Sequence, residues 1–334
     1  MREQFLNERE FRGDGPAIIE RCAEILEDYA QQGYTLTLRQ IYYQLVSHDL
    51  FPDDRRWSQV PGTNRWVRDP NGTKNADPNY KWLGELVNKG RMLGILDWDL
   101  IEDRARETVT PTHWKHPSEI VKAAAEQFRI DKWEDQPVHV EVMAEKDAVS
   151  GILEPVCRSL DVSFTANRGY SSQSFMYRRG KYLQGKLLEG KKVLVVYLGD
   201  HDPSGLDMDR DIEERLRLFA GIDGEFADEG TQYAVEDGAS FEILRIALTR
   251  KQIAHYAPPP NPAKLTDARA KSYVALHGDE SWELDALEPK VLADLVKRAV
   301  RSVRDEGLWV LAVEREEQMK DKLKAVVNSL GKEQ

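Results

Sequence analysis

From Pro137 onward the chain alternates short β-branched runs with longer amphipathic stretches. The runs at 138–143, 162–166 and 193–198 have the length and composition of buried strands. Helical periodicity fills about 147–160, 174–188 and 206–219. Strand, helix and strand in this succession predict an α/β fold with a parallel sheet and right-handed crossovers. A run at 241–248 adds a further strand, and Thr249-Arg250-Lys251-Gln252 caps a short helix.

Open sheets of this kind bind ligands beyond the carboxyl ends of their strands. There the sequence places acids. Run 193–198 leads through Gly199 into Asp200-His201-Asp202-Pro203-Ser204-Gly205, and run 138–143 leads into Ala144-Glu145-Lys146. Glu145, Asp200 and Asp202 are thereby expected on one rim, where three carboxylates repel each other unless a cation lies among them. Oxygen ligands of this kind suit Mg²⁺, a metal typically shared with phosphate substrates, or Mn²⁺. The plain alternative is a solvated turn, in which Asp and Pro are common; the matched Glu145 weighs against it. His201 reads as a structural neighbour of the acids. Asp207 and Asp209 read as remote metal support or as charge at a helix N-terminus.

At 334 residues and 41% apolar content, the chain has room for two or three domains with sizeable cores. No apolar run approaches 18 residues, and Met1-Arg2-Glu3-Gln4 lacks a signal-peptide core. Cys22 and Cys157 are too few for a disulfide framework or a zinc site, which suggests a cytoplasmic setting. The net charge of −11 argues against blanket binding of nucleic acid. Local charge differs. Arg55, Arg56, Arg65, Arg68, Lys74, Lys81, Lys89 and Arg91 face only Asp69, Asp77 and Glu85, with Trp57, Trp66, Tyr80 and Trp82 interleaved. From Arg168 to Lys192 there are seven basic residues against Glu189 alone, among them Arg178 and Arg179 on a helix face. Either segment alone is an ordinary solvated face; two together in an acidic chain point to a polyanion such as DNA. Arg168, Tyr170 and Ser171 lie in a loop after a strand, placed to hold phosphate.

The N-terminal part reads as helices. Residues 16–32 carry a helical stripe closed by Gly33, and Thr37-Leu38-Arg39-Gln40 is a capping box that opens a second helix. Together they read as a helix-turn-helix. Residues 51–78 suggest a long loop or wing, and 79–92 a third helix. The expected divisions are a winged-helix domain at 1–110, a linker helix at 111–136, an α/β domain at 137–257 and a helical extension at 258–334. In the extension, Pro258-Pro259-Pro260-Asn261-Pro262 is a stiff connector. Two helices meeting near Gly307 follow Pro289. Glu283 and Asp285, in Ser281-Trp282-Glu283-Leu284-Asp285-Ala286-Leu287, form a compact acidic motif placed to line the site.

Glu145 after one strand and Asp200-His201-Asp202-Pro203-Ser204-Gly205 after another resemble a Toprim domain. The Asp-x-Asp-Pro-x-Gly form is similar to the A subunit of type IIB topoisomerase (topoisomerase VI) and to the meiotic double-strand-break transesterase. That family carries an Arg-x-x-Tyr-Tyr motif on a preceding winged helix, and Arg39-Gln40-Ile41-Tyr42-Tyr43 stands here in the same order. The resemblance covers roughly residues 15 to 220. It implies DNA cleavage with Tyr43 as nucleophile, Arg39 beside it, and Mg²⁺ at Glu145, Asp200 and Asp202. It also implies a homodimer whose tyrosines face the partner's metal site, and a separately encoded ATPase partner. The chain is short for a topoisomerase subunit, has Asn167-Arg168-Gly169-Tyr170-Ser171-Ser172 where a Gly-Tyr-Pro-like loop is usual, and contains nothing like the ATPase. It looks more like the stand-alone bacterial or phage members, nucleoid-associated or phage-encoded.

Arg39 and Tyr43 share a helix face at i, i+4, and one of the Tyr42–Tyr43 pair must pack. Glu145 or Asp202 can also move a proton, since crowding raises a carboxylate's pKa. Two other readings compete. One is a hydrolytic Toprim nuclease without a covalent tyrosine intermediate; the other is a non-catalytic DNA-binding protein. A primase-type transferase ranks last, since no zinc module accompanies the acids.

Overall fold

The computed structural model describes residues 2, 4, 5, 11, 13–61, 63, 65–102, 111–167, 171–222, 240–263, 267 and 269–330. Helix α1 (Gly15–Gln31) buries Ile18, Ile19, Cys22 and Leu26, the stripe its periodicity predicts. Gly33 follows at φ 83°, a left-handed turn that glycine enters without strain. Strand β1 (Leu36–Thr37) leads into α2 (Leu38–Ser47). Thr37 completes both halves of the capping box: its hydroxyl accepts the Gln40 N–H, and the Gln40 side chain accepts the Thr37 N–H at 2.8 Å. Within the expected loop at 51–78, β2 (Trp57–Gln59) and β3 (Trp66–Arg68) form an antiparallel hairpin. Helix α3 (Asp77–Met92) packs on α1 and α2, and β4 (Ile101–Glu102) returns to pair in parallel with β1. Ile19, Ile41, Leu45 and Leu83 centre this core.

Helix α4 (Pro117–Gln127) precedes the main sheet. Strand β5 (Val138–Ala144), α5 (Ser150–Ser159), β6 (Ser163–Ala166), α6 (Gln173–Leu188), β7 (Lys192–Leu198), α7 (Gly205–Ala220) and β8 (Phe241–Ala247) follow in order. The four strands form one sheet, β6-β5-β7-β8, with every pair parallel. Side chains alternate as period two demands. Val140, Val142, Leu194, Val196 and Leu198 face one core; Met143, Val193, Val195 and Tyr197 face the other, with Met176 of α6 and Ile212 of α7.

Beyond the sheet lie α8 (Arg250–Tyr256), β9 (Asn261–Pro262), α9 (Ala270–His277), β10 (Glu280–Ser281), α10 (Pro289–Val303) and α11 (Glu306–Leu330). Among the described residues there are thus eleven α-helices around the four-stranded parallel sheet. Three features give this region its detail. The proline connector ends in β9, which pairs antiparallel with β10. Helix α10 is a layer of the sheet's core, with Leu292, Val296 and Val300 packed beside α5. The last two helices break at Arg304-Asp305, beside the expected boundary near Gly307. There the Gln136 side chain accepts the Asp305 N–H at 2.8 Å and donates to the Asp305 carbonyl at 2.9 Å. No helix of the described residues is long and apolar enough to cross a membrane.

Candidate active site

The ends of β5 and β7 are level, because Ala144 pairs with Leu198. Glu145 therefore meets the loop that follows β7. Its N–H donates to the Leu198 carbonyl at 2.9 Å, and its Oε2 accepts the Asp200 N–H at 2.8 Å. Asp202 Oδ1 caps the start of α7, accepting the Gly205 N–H at 2.6 Å and the Ser204 hydroxyl at 2.9 Å. A Cβ on Gly205 would lie 2.4 Å from the Asp200 carbonyl oxygen and 3.0 Å from Glu145 Oε2, so the Pro-Ser-Gly turn needs its glycine. Arg245 of β8 fastens the loop by donating to the carbonyls of Gly199 and Gly205, each at 3.0 Å.

The three acids do not share one role. Asp200 Oδ1 accepts the Leu284 N–H at 2.8 Å, and Oδ2 pairs with Lys146 Nζ at 2.8 Å. Both its oxygens are engaged by protein. Glu145 Oε1 and Asp202 Oδ2 have no protein partner among the described residues. Burial pushes the Glu145 carboxyl up, against the Asp200 N–H, and the Asp202 charge adds to the rise. Burial likewise raises Asp200, against the pull of Lys146. No set of three His, Cys, Asp or Glu side chains capable of holding a metal occurs among the described residues. Two carboxylates with free oxygens still fit Mg²⁺, which commonly takes one or two carboxylates and fills its shell with water and substrate oxygens.

Helix α2 delivers the other half. Arg39 Nη2 donates to Tyr43 Oη at 3.2 Å, and Asn261 Nδ2 approaches the same oxygen at 3.4 Å. Tyr42 is the packing member of the pair. Its ring meets Phe51 and Tyr80, and its hydroxyl accepts the Ala76 N–H at 2.7 Å. Tyr43 is itself only 3% exposed. Burial raises its pKa, Glu283 adds to that, and Arg39 opposes. Arg39, Tyr43, Lys81, Asp202, Asn261 and Glu283 line one cleft of about 590 Å³. Tyr43 and Asp202 thus line one cleft of a single chain, where the resemblance implies that the tyrosine faces the partner's metal site.

Behind the cleft, ion pairs connect the two halves. Arg39 pairs with Glu283, and its Nε lies 3.1 Å from Asp285. Lys146 Nζ lies 2.7 Å from Glu283 and 3.4 Å from Asp285. Sequence reasoning missed Lys146 and Asn261. Lys146 adjoins Glu145, and that adjacency was a usable signal. Asn261 sits 218 residues from Tyr43, and nothing local announces the contact.

The basic residues divide. Arg65, Arg68, Lys81 and Arg178 are exposed. Arg56, with Lys74, Trp57 and Trp66, lines a second cleft of about 760 Å³ beside the hairpin. The two clefts share Gln59, Trp66, Asn75 and Pro262. Arg55 lies over Trp82, its Cζ 3.2 Å from the ring centroid. Two expected DNA contacts turn inward instead. Arg91 donates to the Trp98 carbonyl at 3.0 Å and stacks on that ring, tying down the chain after α3. Arg179 pairs with Glu141, a carboxylate buried in β5 that His139 Nε2 also contacts at 3.0 Å. Arg168 and Tyr170 lie outside the described residues. The Ser171 carbonyl accepts from Arg215 at 2.8 Å.

Asp207 pairs with Arg210 and Arg269, and Asp209 with Arg245, so both charges are balanced by protein cations. His201 packs among Tyr273, His277 and Trp282, and burial lowers its pKa to about 4. It is a neutral wedge behind the acids. No protein-family model, curated protein or solved structure matches the chain.

Proposed function

We propose that the protein is a Mg²⁺-dependent DNA-cleaving transesterase of the topoisomerase VI A type, in which Tyr43 attacks the phosphodiester. In this reading α1–α3 and the β2–β3 hairpin serve as a winged helix, and the β5–β8 sheet as a Toprim domain. The observation that carries it is the cleft shared by Tyr43, Arg39 and Asp202. Glu145 and Asp202 hold the cation, whose positive charge stabilises the phosphate oxygens during displacement. Arg39 and Asn261 aim N–H donors at Tyr43 Oη and stabilise the phenolate as its proton passes to solvent. The Oη–phosphorus bond forms as the bond from phosphorus to the 3′-oxygen breaks, and that oxygen leaves as a hydroxyl by taking up a proton. Lys81, Arg65 and Arg68 hold the flanking phosphates, which sets register without reading sequence. In this reading Tyr43 works with the acids of its own chain, and a homodimer or an ATPase partner serves strand passage.

One observation favours a second reading. Tyr43 is buried and its pKa is raised, which suits a phenol that positions DNA better than one that ionises. Water would then be the attacking oxygen, and Glu145, lifted by burial, would accept its proton. The readings separate when end-labelled duplex DNA is cleaved with Mg²⁺ and then denatured. The transesterase leaves label on the wild-type protein band and none on Tyr43→Phe. Breaks of equal yield in both, with no label on protein, would establish hydrolysis. Tight DNA binding without breaks would leave only a DNA-binding protein.

A further inference from the structure

Residues 281–287 join the two halves of the cleft. Trp282 exchanges backbone hydrogen bonds with His201 at 2.8 and 3.0 Å, and the Leu284 N–H reaches Asp200 at 2.8 Å. Ser281 pairs with Asn261 across β9 and β10. Leu284 and Leu287 are buried in the core under the sheet, whereas Ala286 is buried in the core of α1–α3. Glu283 is therefore held on a short segment pinned to both sides.

Its carboxylate touches both residues that hydrogen-bond to the Tyr43 oxygen among the described residues. Oε2 pairs with Arg39 Nη2, the same nitrogen that donates to Tyr43 Oη, and with Lys146 Nζ at 2.7 Å. Oε1 accepts from Asn261 Nδ2 at 3.3 Å, the same nitrogen that approaches Tyr43 Oη. We propose that Glu283 is the positioning residue of this site, holding Arg39 and Asn261 so that both donors converge on Tyr43. The proposal rests on the reading of Tyr43 as nucleophile.

Burial works to raise the Glu283 carboxyl, but Lys146 and Arg39 outweigh it and hold it down to about 2. A carboxylate that weakly basic is a poor proton acceptor at neutral pH, so orientation is the role left to it. Orientation also explains the shared nitrogens. An arginine or asparagine free to rotate would sample many geometries, and a misplacement near 1 Å can cost about 100-fold in rate.

Two measurements test the assignment. The first needs no cleavage. Tyrosine labelled with ¹³C at the ring Cζ is incorporated, and the Tyr43 resonance is identified by its loss in Tyr43→Phe. In Glu283→Ala that resonance moves in the same direction as in the Arg39→Ala, Asn261→Ala double variant, while the other tyrosine signals stay in place. A Tyr43 resonance unmoved in folded Glu283→Ala overturns the proposal. The second is steady-state DNA cleavage. Glu283→Ala lowers kcat by about 10- to 100-fold with KM changed less than about threefold, and Glu283→Gln recovers part of the loss. A kcat within about twofold of wild type overturns the proposal, as does a change confined to KM. If the resonance moves but wild type forms no Tyr43-linked DNA, the nucleophile reading falls and takes the catalytic purpose of the positioning with it, leaving only that Glu283 holds the two donors on Tyr43.

Discussion

Lys146 sends one ammonium toward three carboxylates, those of Asp200, Glu283 and Asp285, at 2.8, 2.7 and 3.4 Å. Asp200 and Asp285 are almost wholly buried, so this charge has no ready substitute from water. Lys146→Met should lower unfolding free energy by about 3 kcal/mol, because it strands buried carboxylates. Adding Asp200→Asn should return part of that loss, a coupling that urea denaturation of the two variants can read. An unchanged urea midpoint in Lys146→Met would mean the acids are solvated in place. The same residues show where reading the sequence stops. Glu145, Asp200 and Asp202 could be placed on one rim because each follows a recognisable strand. The turning of Asp200 toward Lys146 could not, since it depends on the Leu284 N–H, 84 residues away.

Helix α11 is tied to the body of the protein by a polar contact its sequence does not advertise. Glu316, 4% exposed, accepts the Ile130 N–H at 3.1 Å and pairs with Lys132 and Lys320 at 2.6 and 2.7 Å. Burial opposes its charge, yet these partners hold its pKa down from 4.5 to about 2. A depressed carboxylate contributes stability that is present above its unfolded pKa and lost as pH falls through its folded pKa. The thermal midpoints of wild type and Glu316→Gln should therefore differ at pH 7 and converge between about 4.5 and 2. A gap that stays constant across that range would contradict the assignment. Elements with strong local signals were readable: the capping boxes at Thr37 and Thr249 both form, and strands β5, β7 and β8 fall where their runs predict. Helix α9 was not readable, because it buries only Ala270 and Tyr273 and so lacks an apolar stripe.

The molecule joins an α-helical N-terminal part to an α/β part through the 3-10 turn at Leu284–Ala286, whose residues are buried in both cores. That join creates the cleft. Neither part alone contains both Tyr43 and Asp202, and long-range joins of this kind are what local periodicity cannot encode. Charge follows the same division. In a chain of net charge −11, Arg56 and Lys81 line the clefts and Arg65 and Arg68 are exposed on or beside the hairpin, while Arg91 and Arg179 neutralise or tie down the interior.

The central claim is that one chain's cleft cuts DNA with Tyr43 and its own Glu145 and Asp202. Supercoiled plasmid with Mg²⁺ tests it, using wild type, Tyr43→Phe, Asp202→Asn and an equal mixture of the two variants. The account predicts cleavage by wild type, a loss of at least about 100-fold in each variant, and no recovery in the mixture. Cleavage restored by mixing would show that the tyrosine of one subunit works with the acids of another; cleavage that survives Asp202→Asn, or none by wild type, would contradict the site itself.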